Sequence, residues 1–353
     1  DFIIGSEDTD NISGATLSAL LVTNSVTIST ATAPDATVPG TPPVTSLYTS
    51  TTGNGDIHVN DAIEWVAAPS TTTLSLLADR EVNINAPISA TNGNLVVCCG
   101  RDVNVALGAD ITTTNGSVLM GAGRDINLDG ALTTTNGNVT MCASNDINIL
   151  GKITLTHTTS IVDSQSLGLP LGLVLSAGYG AGAPGVGGGT VVFEPLAPDA
   201  TVTNAPTTIE YNPVSYTLPT DFSDYIIGEA PTQHMLVFAQ AEDKVFDGTT
   251  AATISLLQGP VGVTLVAGSG ATATFDTAAV GTDKTVSFTG YSLGGVGADQ
   301  FAFAVPCCGP AVSTTTGDIT AATVIPPVTP PVTPPVVRPP VRPPVVTPPV
   351  VVA

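Results

Sequence analysis

Between residues 81 and 149 apolar and polar positions alternate in short bursts, and the bursts recur at a nearly fixed interval. Val103 and Val105 flank Asn104 and follow Asp102. Ile126 and Leu128 flank Asn127 and follow Asp125, and Ile147 and Ile149 flank Asn148 and follow Asp146. Period-two alternation sends one set of side chains to one face of a β-strand and the other set to the opposite face. Ahead of each burst stands an Asn-Gly pair, beginning at Asn92, Asn115 and Asn136. Such pairs suit a corner, because both residues tolerate positive φ. Both series step by 23 and then 21 residues, and Glu81-Val-Asn83 and Asp56-Ile-His-Val59 extend the pattern upstream. That period is too short for a helical-pair repeat and too long for a hairpin. It fits one turn of a parallel β-helix with two or three short strands per turn. Equivalent residues then stack on rungs about 4.8 Å apart.

The solenoid is expected over residues 1–155, with Ala15–Val22 and Ser25–Ser29 as irregular strands of the same coil. Residues 156–235 lose the repeat and read as a Gly/Pro-rich irregular β connection, with strands such as Thr190–Phe193 and Thr207–Tyr211. Residues 236–325 read as a small all-β module, from the alternation at Ala273–Phe275, Thr285–Phe288 and Phe301–Val305. Residues 326–353 form a Pro-rich tail. Its six Pro-Pro pairs fix φ and remove amide donors, which predicts polyproline II. No charge stands between Asp163 and Glu194, but glycines and prolines interrupt the stretch repeatedly. No apolar run of the roughly 18 residues a membrane helix needs survives there.

These residues carry a family resemblance. Gly55-Asp-Ile-His-Val59, Trp65 and the run from Thr73 to Ile88 resemble the repeat of bacterial two-partner-secretion exoproteins of the filamentous-haemagglutinin type. Lys244-Val-Phe-Asp-Gly-Thr-Thr250, Gly290-Tyr-Ser-Leu-Gly294 and Ile319-Thr-Ala321 resemble the YDG-type domain near the C-termini of such proteins. Phe246 replaces the usual Tyr, and Gln300-Phe301 stands where Asn-Tyr is common. The resemblance implies a right-handed parallel β-helix, secreted to the outside or surface of a Gram-negative-type bacterium. It implies adhesion, biofilm matrix or fibre building. The family's N-terminal secretion domain is not seen, which leads us to expect the C-terminal part of a longer precursor or a diverged short form.

Charge narrows the partners. Eight basic against 29 acidic residues give a net charge of −21, which speaks against nucleic acid, since phosphate binding needs clustered Lys and Arg. The acidic excess favours solubility and could hold divalent cations. Calcium is the one cofactor considered, at Asp8 and Asp10 beside Glu7, or at Asp102, Asp125 and Asp146, which would stack as like charges on successive rungs. Against it stands the reading that these aspartates accept corner backbone amides, with Arg101 and Arg124 compensating. Asn83, Asn104, Asn127 and Asn148 form another column, expected to be a structural amide ladder.

Cysteine is the most informative residue type. Cys98 and Cys142 fall at equivalent repeat positions two rungs apart, about 9.6 Å, whereas a disulfide needs Cα atoms within about 7 Å. They should not bridge each other. Cys98-Cys99 and Cys307-Cys308 are candidates for disulfides joining the solenoid to the C-terminal module, within or between subunits, against purely internal bonds or free thiols. Asp1-Phe-Ile-Ile-Gly5 recurs as Asp224-Tyr-Ile-Ile-Gly228, so Phe2, Ile3, Ile4, Tyr225, Ile226 and Ile227 are candidates for self-assembly at the coil's ends. His58, His157 and His234 are scattered, and no triad order, zinc motif or phosphate loop appears. The expectation is a non-enzymatic subunit of an extracellular fibre or matrix that self-associates into a homopolymer. An adhesin touching cell or glycan surfaces is the runner-up, and a β-helix polysaccharide-active enzyme a remote third.

Overall fold

The computed structural model describes residues 1–5, 11–30, 46–50, 52–186, 188–194, 200–203, 205–305, 312–322, 336–337 and 340–341. The expectations for Asp8, Asp10, Cys307, Cys308 and nearly all of the Pro-rich tail lie outside these residues. The remainder is a right-handed parallel β-helix that runs into a β-rich module.

Each turn visits three sheets. The first contains Phe2–Ile4, Ile57–Val59, Val82–Ile84, Val103–Val105, Ile126–Leu128, Ile147–Ile149 and Val191–Phe193, in that spatial order. The second runs from Ile63–Val66 through Ile88–Thr91, Ile111–Thr114, Leu132–Thr135, Ile153–Thr156 and Ala200–Thr203 to Ile226–Ile227. The third includes Val26–Ser29, Thr72–Ala78, Gly93–Cys99, Val118–Ala122, Val139–Ala143, Leu173–Ala177, Thr207–Tyr211 and Thr232–Ala241. Register is one to one: Val103 lies beside Ile126, which lies beside Ile147, and Val97 beside Met120, which lies beside Met141. These columns fill the interior, where the side chains are fully buried. Removing water from such stacked aliphatic surface stabilises the coil by roughly 1.5–3 kcal/mol per large side chain.

From Thr72–Ala78 to Val139–Ala143 the third sheet is buried on both faces, which is why Leu95-Val-Val-Cys98 reads as an unbroken apolar run. Its outer side chains Leu77, Val96, Cys98 and Leu119 pack under Leu167, with Leu169 beside them. The corners follow the Asn-Gly logic. Asn92, Asn115 and Asn136 each have φ of 54°. The glycine that follows is required for a different reason: a Cβ on Gly116 would lie 2.0 Å from the carbonyl oxygen of Gly93 on the preceding turn.

Three features differ from the sequence reading. Gly14–Leu21 is an α-helix and not an irregular strand. The Ser13 hydroxyl caps it by accepting from the Thr16 N–H, and Leu17 and Leu21, four residues apart, are buried against the coil. Residues 156–235 are not an irregular connection. Leu173–Ala177, Val191–Phe193, Ala200–Thr203 and Thr207–Tyr211 continue all three sheets. The long corners between residues 157 and 190 break the spacing without ending the coil. Nor does any linker separate coil and module. Thr232–Ala241 pairs its first half in parallel with Thr208–Tyr211 and its second half antiparallel with Ile254–Leu257. Phe301–Phe303 lies alongside its middle.

The module adds a four-stranded sheet of Lys244–Val245, Ser313–Thr320, Gly281–Gly295 and Val263–Phe275. Phe275, Val286, Phe288, Ile254 and Ile319 form its own core.

Candidate functional site

The outward-facing asparagine columns of the solenoid bond along its axis. In the first sheet Asn104 Nδ2 donates to Asn83 Oδ1 at 2.9 Å, Asn127 to Asn104 at 2.8 Å and Asn148 to Asn127 at 2.9 Å. A second ladder, which sequence reasoning missed, runs through the corner residues themselves. Asn115 Nδ2 donates to Asn92 Oδ1 at 3.2 Å and Asn136 to Asn115 at 3.1 Å. The signal for it was present, since corner asparagines at a fixed period must stack as strand asparagines do.

The aspartates are corner residues. Asp56 Oδ1 accepts the Glu81 N–H, Asp102 Oδ1 that of Asp125, Asp125 Oδ1 that of Asp146, and Asp146 Oδ1 those of Gly189 and Thr190. Each carboxylate therefore holds the amide that opens the next rung. Arginines interleave with them. Arg80 grips both oxygens of Asp56, Arg124 both oxygens of Asp102, and Arg101 reaches Glu81 and Asp102. Asn145 takes the third position and donates to Asp125 Oδ1 at 2.7 Å. The like charges of the column are thus separated by cations and amides. Bonding to Arg80 holds the Asp56 carboxyl below its usual range. Asp1, Asp56 and His58 bring ligand atoms within 4.8 Å of one another among the described residues, but the Asp56 carboxylate is already taken up by Arg80.

The cysteines divide. Cys98, Gly121, Cys142 and Ser176 occupy one register column on successive rungs. Cys98 and Cys142 are both disulfide-bonded. With Gly121 between them they stand about 9.6 Å apart, too far to bond to each other. Cys99 is a free thiol, and burial pushes it up to about 12. Nearby, the Tyr179 hydroxyl donates to the Ala122 carbonyl at 2.9 Å, and burial pushes that phenol to about 12 as well.

The two recurring pentapeptides occupy different places. Phe2–Ile4 is the first strand of the first sheet, with Phe2 and Ile4 buried, and Ile12 bridges its far side at Ile4. Ile226–Ile227 is the last strand of the second sheet, and Tyr225 stacks on Phe193 with ring centroids 4.7 Å apart. Both segments finish the coil within the chain, at opposite ends. The histidines stay apart: His58 in the first sheet, His157 against the Gly137 carbonyl at a corner, and His234 beside Glu210 on the third sheet.

In the module, Lys244 Nζ donates to Asp247 Oδ1, Thr249 O and Ala251 O at 2.8–2.9 Å and lies 5.7 Å from the Phe275 ring centroid. Asp247 also accepts the Thr249 N–H. Its bond to Lys244, with those to Thr249, holds its carboxyl at about 2. The Lys-Val-Phe-Asp-Gly-Thr segment is therefore a folded clasp that closes the module's edge.

A YDG domain matches residues 230–306, so the chain contains that domain. The matched segment begins two residues before the strand shared by coil and module. Among curated proteins none matches this chain. Among solved structures none matches it either.

Proposed function

We propose that this chain is the stalk and C-terminal module of a secreted, non-enzymatic exoprotein of the filamentous-haemagglutinin type. On this reading it contributes a rigid rod to an extracellular bacterial fibre or matrix. The observation that carries the reading is continuity. Among the described residues three parallel sheets run on from Phe2 to Thr232, and Thr232–Ala241 takes the third sheet into the YDG domain as one strand. The stacked asparagines and corner aspartates, the side chains best suited to a reactive groove, bond to the next rung instead. A rod whose amides and carboxylates repeat along its axis resists bending, as a fibre subunit must.

Electron microscopy of the purified chain at rising concentration tests the proposal. Filaments whose width matches one solenoid support the fibre. Isolated short rods that adsorb to cells or glycan arrays would replace it with the adhesin reading. The Pro-rich tail and the coil's ends are the contacts to delete first.

A further inference from the structure

The second sheet presents outward a pattern that none of these roles uses. Its register aligns Ser89, Thr112, Thr133 and Thr154 in one column and Thr91, Thr114, Thr135 and Thr156 in another. The side chains between them, Ala90, Thr113, Thr134 and Leu155, point inward and are buried. Thr113 donates there to the Gly116 carbonyl and bonds Thr134. The eight outward residues are all partly exposed. Among the described residues, none of their hydroxyls has a side-chain hydrogen bond within the protein.

The two columns form a rectangular lattice. Its spacing is about 4.8 Å along the axis and about 6.7 Å, two residues, along each strand. Three properties make the lattice fixed. The register is one to one across all four strands, with no bulge. Thr is β-branched and stiff at χ1, so hydroxyl and methyl keep their places. Side-chain ladders on the adjoining corners oppose the usual sheet twist. The array itself carries no charge on a chain of net charge −21; the charges at its border are Glu64, beside Ser89, and the exposed Asp110 and Lys152, two residues before Thr112 and Thr154.

A neutral hydroxyl-and-methyl lattice has little to offer a flexible solute, which must be ordered before it can match the array. It suits a solid that already repeats in two dimensions. The water positions on the prism face of hexagonal ice repeat at intervals close to both spacings. We propose that this face binds ice, the threonine hydroxyls holding first-layer waters and the methyls shaping the water between them into a continuation of the crystal. The proposal does not depend on whether the rod polymerises.

Thermal hysteresis and inhibition of ice recrystallisation by the purified chain test it. The wild type is expected to show both. Thr133→Tyr, at the centre of the array, is expected to abolish them while far-UV circular dichroism and melting stay unchanged. Thr133→Lys provides a second disruption should the first perturb folding. Val261→Tyr, on an exposed position of the module, is expected to retain activity. Three results would overturn the proposal: no hysteresis from the wild type up to its solubility limit, equal activity in folded Thr133 variants, or adsorption to crystalline chitin or cellulose with none to ice.

Discussion

Asp102 and Arg124 sit on successive turns of the coil, with Arg124 Nε donating to Asp102 Oδ1 at 2.8 Å while the Asp125 N–H donates to the same oxygen at 3.2 Å. One carboxylate thus closes a corner and neutralises the cation that precedes the next corner. Asp102 is 4% exposed, so its replacement strands partners that water reaches poorly. Asp102→Ala is expected to destabilise the coil by about 1–3 kcal/mol, the cost of losing hydrogen bonds to a charged group. Arg124→Ala should cost less, because that side chain is about half exposed. Urea unfolding of both variants checks the order. A reversed order would mean that the charge pair, not the amide, is the stabilising contact.

Asp56 and Arg80 repeat this pairing nearer the N-terminus and give it a pH dependence. The Asp56 carboxyl is depressed, chiefly by its bond to Arg80. Its contribution is therefore full above the unfolded carboxylate value near 3.9 and is lost as pH falls through the lower folded value. Asp56→Asn keeps the shape without the charge. The stability gap between wild type and variant is expected to be constant from neutrality down to about pH 5 and to close below about pH 4. Chemical denaturation across that range measures it. A gap that persisted unchanged at pH 2 would show that charge at Asp56 is not what matters.

How much of this was legible follows from where each signal lies. The coil was legible because Asp-x-Asn and Asn-Gly recur together, and a solenoid makes period equivalent to position. The Asn83–Asn148 ladder followed directly. The helix at Gly14–Leu21 was hidden, since two turns of Ala, Leu and Thr read equally well as a strand and only packing against Ile63–Val66 decides. The final turns were hidden because their corners are long. The threonine face was written out as Thr112-Thr-Thr114 and Thr133-Thr-Thr135. Alternation alone does not say which of three threonines faces water, and that needed the buried Thr113 and Thr134.

The corner glycines give a sharper test of the stacking. Gly116 has no room for a Cβ, because the nearest atom is the Gly93 carbonyl oxygen at 2.0 Å, which belongs to the backbone and cannot rotate away. Gly116→Ala must push two rungs apart, and a loss above about 4 kcal/mol, or failure to fold, is expected. Gly108 provides the comparison. It has φ of 82°, but nothing lies within 4 Å of the place a methyl would occupy. Gly108→Ala therefore carries backbone strain alone, about 1–2 kcal/mol. Thermal melts of the pair separate crowding from strain. Equal effects would refute the close approach of Gly93 and Gly116.

Cys98 and Cys142 are each disulfide-bonded, and Cys99, next to Cys98 in sequence, is a free thiol. Because burial raises that thiol to about 12, almost none of it is thiolate at pH 8, and thiolate is the reactive form. A thiol-reactive dye at pH 8 is expected to label the native, unreduced protein very slowly. In denaturant, without reductant, it should label Cys99 quickly and leave Cys98 and Cys142 unlabelled. Gel electrophoresis without reductant reads whether the Cys98 and Cys142 disulfides join subunits: a monomer band would leave the fibre proposed above to noncovalent contacts. Labelling at Cys98 or Cys142 would remove that residue's bond from the structure. A ladder that collapsed on reduction would place at least one of these bonds at the interface between subunits.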